Sequence, residues 1–249
     1  MVYEVAWTRA LSLVVGSSTY AFCIMLATFL GGMALGSGLA RQHLRSAAGT
    51  VGFFIAVELA LGIYGLLSIP LFSQLPEWLV TLWPLTNQSF TAISWLQFSL
   101  SSVAMLLPTL FMGAFFPLVV KALATSLEKR GQWVGDIYSI NTLGTIVGAL
   151  LAGFVLVPRL GAQASMMAAA AANAAVGMAI LAMAPPARSV WRRAAVLPLA
   201  VLFTAGVVWL PRWNRPVMVW GVSVYAQKFT AAADPATRLN TSGMIKPRF

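Results

Sequence analysis

Long apolar runs separated by short polar or basic breaks dominate the chain, and their period is that of helices rather than strands. The run from Ser18 to Ala40 is the clearest, with Gly32, Gly36 and Ala40 four residues apart, and it stops at Arg41, His43 and Arg45. Ala48 to Pro70 follows, with its own small residues Gly52, Ala56 and Ala60. Leu71 to Gln88 is expected as a loop, because Pro76 and Pro84 interrupt it and Trp78 and Trp83 suit a membrane interface. The run from Ile93 to Leu123 contains Pro108 and Pro117, and a kinked or broken helix is expected there because proline lacks a backbone donor and crowds the preceding turn. Ala162 to Ala184, rich in Ala and Met, and the shorter Ala194 to Leu210 close the apolar part. Residues 1 to 15 fall short of the roughly 20 residues a span needs, so they are expected as the end of a helix.

One stretch stands apart. Gly135 to Gly153, GDIYSINTLGTIVGALLAG, starts polar with Asp136, Tyr138 and Asn141 and then turns apolar. At about 100° per residue, Asn141, Gly144, Thr145, Gly148 and Ala152 share one face. Lipid is already apolar, so helices in a bilayer associate largely through close approach at small residues. This face, like Gly32 and Gly36, is expected to be a packing seam, with the small faces of the second and third spans as its partners.

Composition agrees with that picture. Apolar residues make up 59% of the 249 and charged residues 9%, with a mean hydropathy of +0.83, whereas a water-soluble domain carries about a quarter charged residues. The fold class expected is all-α, a polytopic transmembrane bundle of six to seven spans over 1–211, followed by a basic extramembrane tail over 212–249. Six Lys or Arg against Asp234 give those last 38 residues a net charge of +5. They contain no dense basic run, which argues against nucleic acid and leaves the lipid bilayer as the partner. The loops at 41–45, 121–130 and 188–193 hold eight Lys or Arg while those at 71–92 and 158–161 hold only Arg159, which puts the first three on the cytoplasmic side. In the tail, Val217, Val219, Val222 and Val224 around Gly221 suit a short strand or hairpin.

Four pieces in order resemble the membrane part of the spermidine-synthase-like proteins, in which a major-facilitator-like module is fused to a synthase. They are VYEVAWTRALSLVVGSSTYAF at 2–22, GGMALGS at 31–37, LLPTLFMGAFFPLVVKAL at 106–123 and GDIYSINTLGTIVGALLAGFVLVPRLG at 135–161. The resemblance covers roughly residues 2 to 184 and implies that the first six spans form one half of a major facilitator fold. It also implies a following aminopropyltransferase-like domain, whose entry RWNRPVMVWGVSVYAQKF at 212–229 resembles. No glycine-rich nucleotide loop and no substrate-holding acids follow, so the chain is expected to be a membrane module without its catalytic domain. That module would sit in a bacterial inner membrane and anchor or serve a separate synthase-like domain, or act as a homo-oligomer.

Little material for catalysis is left. One His, one Cys and six acids offer neither a nucleophile set nor a metal cluster, and no catalytic residue, cofactor or metal site is expected. Glu58 is the sharpest single candidate, since a carboxylate near mid-bilayer is costly and faces the bundle interior, pairs or titrates. It lies opposite the Gly52, Ala56, Ala60 face, so packing does not explain it. Glu4 and Arg9 are about 140° apart on a helix and need partners elsewhere, with Trp7 expected at the interface as an anchor. Asp136 complements the helix dipole, and Asn141 can bond across the seam. A substrate or proton site could thus draw on Glu58, Glu4, Arg9, Asp136 and Asn141. The alternatives to the synthase-serving module are a transporter half acting on a polyamine or other organic cation, and a structural subunit of a membrane complex.

Overall fold

The computed structural model describes residues 1–43, 47–123 and 130–183, together with residues 200, 201, 203, 205, 206, 209 and 213. The described residues are helical or in turns. Most of the run at 194–210, and the strand or hairpin expected at 217–224, lie outside them. Within residues 1–183, six α-helices are described: α1 Val2–Val15, α2 Thr19–His43, α3 Ala47–Leu82, α4 Phe90–Leu123, α5 Arg130–Leu150 and α6 Val157–Met183. Four helical stretches are long and apolar enough to cross a membrane: Thr19–Arg41, Gly52–Thr86, Phe90–Lys121 and Gly131–Met183.

Local chemistry sets the breaks. α1 stops at Gly16, whose φ of 104° and ψ of 165° lie where a side chain is strained, and Gln97 of α4 donates its amide N–H to the last carbonyl, Val15 O, at 3.1 Å. Ser18 then accepts the Ala21 N–H at 3.1 Å as the N-cap of α2. The Gly131–Met183 stretch runs 53 residues, about 80 Å at 1.5 Å per residue, and is interrupted at Gly161 (φ 84°, ψ 166°). Between α5 and α6, Leu151–Leu156 form a wider π-helical turn. That turn lies just before Pro158, which has no N–H for the carbonyl of Phe154 and crowds it.

α3 corrects the expected loop at 71–88. It continues through Pro70 and Pro76 to Leu82 and ends in a short 3₁₀ turn, Trp83–Thr86. Ile69, Phe72, Leu75 and Leu79, three or four residues apart, are all buried, and this stripe extends the helix past its prolines. α4 is likewise helical across Pro108 and Pro117. Proline at 108 leaves the Ala104 carbonyl without its helical donor, and Tyr64 of α3 replaces it, donating its hydroxyl at 2.8 Å. Tyr64→Phe should therefore destabilise the bundle by about 1 kcal/mol, read as an earlier midpoint when SDS is titrated into mixed micelles.

The bundle is built on two close helix pairs. α2 and α4 run parallel, from Tyr20 against Phe90 at one end to Ala40 with Ala114 and Leu118 at the other. A Cβ on Gly32 would strike Thr109, one on Gly36 the backbone of Leu110, and one on Gly113 the backbone of Met33. α3 and α6 run antiparallel, Gly62 against Ala174, Gly65 against Ala170 and Tyr3, and Gly177 against Glu58 and Leu59. Gly52, by contrast, faces open space. α1 sits inside this frame with Ala6, Trp7, Ala10, Leu11 and Val14 fully buried.

α5 is the outlier. It touches α1 and α4 rather than α2 and α3, Gly144 faces open space, and a Cβ on Gly148 would meet only the Met1 side chain, at 3.3 Å. Ala152, in the π-helical turn, is fully buried. The small-residue face of Gly135 to Gly153 is thus left largely unfilled by any helix among the described residues. Small side chains permit close approach without requiring it, and here the space they leave belongs to a cavity.

Candidate functional site

That cavity has a volume of about 590 Å³ and is bounded by all six helices. α5 supplies Asn141, Gly144, Thr145 and Gly148 as one wall. Opposite stands Glu58 of α3, only 6% exposed, with Tyr3 of α1 and Asn173 of α6 beside it. Phe29, Met33, Met112 and Phe115, from α2 and α4, complete an apolar side.

Each polar group is delivered by packing. Glu58 lies at a close contact of α3 with α6, its Cβ 3.2 Å from where a Cβ on Gly177 would stand. Gly177 thereby brings the two helices together behind the carboxylate. Tyr3 donates its hydroxyl to the Leu61 carbonyl at 3.2 Å and is held by its neighbour Trp7, stacked at 4.7 Å between ring centroids. Trp7 in turn meets Tyr64 edge-on at 6.0 Å and points its indole N–H at Ser68 Oγ, 3.4 Å away. Trp7 is fully buried, so the interfacial position expected for it is corrected. An indole with stacked and hydrogen-bonding partners inside a bundle has no need of the headgroup region.

A second cavity of about 580 Å³ adjoins the first and shares Met33, Met112, Phe115 and Asn141 with it. It continues between α2, α4 and α5 to Arg41, Val120 and Val134. Together they form a trough from Glu58 in the interior to Arg41 at the end of the bundle where α2 and α4 finish.

Of the residues singled out from sequence, Glu58 and Asn141 face this one cavity. Glu4 is half-buried on α1, Arg9 and Asp136 are exposed, and none of the three lines either space. Tyr3, Thr145 and Asn173 join the site without having been assigned to it. Asn173 carried a legible signal as a polar side chain inside the Ala-rich run of α6; Tyr3 was pointed to only by the family resemblance of the piece at 2–22, and its place beside this cavity depends on α3, some 58 residues away.

At the opposite end, Trp213 docks where α3 and α6 meet. Its indole N–H donates to the Ile69 carbonyl at 2.7 Å, its backbone N–H to Gln163 Oε1 at 3.0 Å, and its ring stacks on Phe72. Phe203 also packs on the core.

Two proteins of Streptomyces coelicolor are similar to the chain. Polyamine aminopropyltransferase 1 is 26% identical over 184 residues, 73% of this chain, and polyamine aminopropyltransferase 2 is 29% identical over 182 residues, again 73%. In both cases the chain spans about a third of the relative's length, 31%. No family model matches. No solved structure matches either.

Proposed function

We propose that the chain is the membrane module of an aminopropyltransferase-like protein, anchoring or serving a synthase-like domain. The observation that supports it is where the similarity must fall. Only 66 of the 249 residues lie beyond Met183, so most of the 184 residues aligned with the first relative belong to the apolar helical body. The similarity to two proteins named for polyamine chemistry thus rests largely on the apolar helical body of this chain.

In this reading the bundle has six to seven passes through a bacterial inner membrane, in the manner of one half of a major facilitator fold. Gly131–Met183 makes two of them, because about 80 Å of helix exceeds twice the roughly 30 Å of hydrocarbon and turns at Gly161. The basic end at Arg41 faces the cytoplasm.

Two experiments test the proposal. The DNA flanking the reading frame should carry a synthase-like sequence, in frame or adjacent; its absence would overturn the association. Purified chain supplied with decarboxylated S-adenosylmethionine and putrescine should form no spermidine, whereas turnover would show that catalysis resides in the chain itself.

A further inference from the structure

We infer that the cavity around Glu58 is a binding site for an aliphatic amine in its ammonium form. Glu58 is 94% removed from solvent, by its 6% exposure, and makes no ion pair or hydrogen bond with another described residue. A carboxylate so placed in an apolar bundle lacks a side-chain counter-charge: among the described residues no Lys, Arg or His side chain lines the cavity, and the Met1 ammonium at its edge interacts with Glu4. An ammonium guest supplies both the charge and the N–H donors. The side-chain carbonyls of Asn173 beside Glu58 and Asn141 across from it, with the hydroxyl of Thr145, can accept the N–H groups that Glu58 does not.

The remainder of the cavity selects the body of the guest. Phe29 and Phe115 are aromatic lining residues, a residue type whose ring face attracts a cation, and with Met33 and Met112 they form a surface suited to a methylene chain rather than to a hydrated metal ion. The volume of about 590 Å³ lies within the roughly 300–1,000 Å³ typical of small-molecule sites. The adjoining cavity gives a way in, and its cation, Arg41, stands at the far end rather than beside Glu58. The unfilled face of α5 acquires a purpose on this view: Gly144 and Gly148 leave room that larger side chains would occupy.

Equilibrium dialysis of the full chain in detergent with radiolabelled putrescine tests the site. Saturable binding is expected, competed by butylamine and not by 1-butanol, which has a similar chain without the charge. Glu58→Gln should weaken binding at least tenfold, and Asn173→Leu at least threefold, in protein whose circular dichroism matches the wild type. The close α3–α6 contacts fall on Ala170, Ala174 and Gly177 rather than on Asn173, so Asn173→Leu covers the case in which Glu58→Gln disturbs the fold. Absence of binding by folded wild type, equal binding by both variants, equal competition by 1-butanol, or displacement by sodium at equimolar concentration would each overturn the inference. It stands apart from the aminopropyltransferase reading, since flanking DNA decides that one and amine binding decides this one.

Discussion

Gly36→Val is expected to prevent stable folding, at a cost above about 3 kcal/mol. Gly36 is buried, and its missing Cβ would overlap the backbone of Leu110, with the carbonyl carbon only 2.7 Å away. Backbone cannot rotate aside as a side chain can, so α2 and α4 would have to separate along their length. Separation would also undo Gly32 against Thr109 and Gly113 against Met33, since the three contacts belong to one pair of parallel helices. In lipid no apolar burial is gained by reassembling at a distance, because the acyl chains replace the partner helix at little cost. Gly38→Val provides the control on the same helix: it has nothing within 4 Å and should change stability by no more than about 0.5 kcal/mol. Monodispersity by size exclusion and the SDS midpoint in mixed micelles separate the two variants. Equal behaviour would mean that α2 and α4 are not in close contact.

The same contact shows what the sequence made legible and what it did not. Gly32 and Gly36, one turn apart in an apolar helix, announce a close approach. Their partner could not be read, because Thr109 and Gly113 of α4, though four apart, lie in a run broken by Pro108 and Pro117 and meet α2 together with the larger Leu110. The converse holds for Gly144 and Gly148, which carry the same spacing and border a cavity. A small side chain records that space was left, and only the tertiary arrangement decides what fills it. Glu58 and Asn173 are legible for a different reason, since a polar group in a long apolar run is costly enough to demand an explanation whatever the fold. The reach of α3 past Pro70 and Pro76 was hidden because prolines and the polar residues around them outweighed the stripe of Ile69, Phe72, Leu75 and Leu79. Tyr64 is the least legible of all. Its service to the Ala104 carbonyl needs both the missing donor at Pro108 and the crossing of α3 over α4.

Trp7→Ala should cost about 3 kcal/mol, near the lower end of what removing a buried tryptophan costs elsewhere. The transfer part of that cost shrinks in a bilayer, where a released side chain still meets apolar surroundings, so the loss is mainly one of packing. Trp7 is fully enclosed, stacked on Tyr3 with the ring planes 19° apart and edge-on to Tyr64 at 89°. Removing it opens a void between α1 and α3. Its bond to Ser68 Oγ, at 3.4 Å, is long and contributes little, so Ser68→Ala should be nearly neutral. Trp7→Phe keeps a ring against Tyr3 and should fall between the wild type and Trp7→Ala. SDS titrations of these four proteins and of Trp7→Tyr, which should behave like Trp7→Phe, would establish that order. An interfacial tryptophan predicts another one, with Trp7→Tyr equal to the wild type and Trp7→Ala only slightly weakened, because the headgroup region accepts either ring and tolerates neither's loss severely. The buried position also links stability to the site. Trp7 sets the Tyr3 ring whose hydroxyl stands beside Glu58, so a variant that loosens α1 should weaken amine binding before it unfolds the bundle.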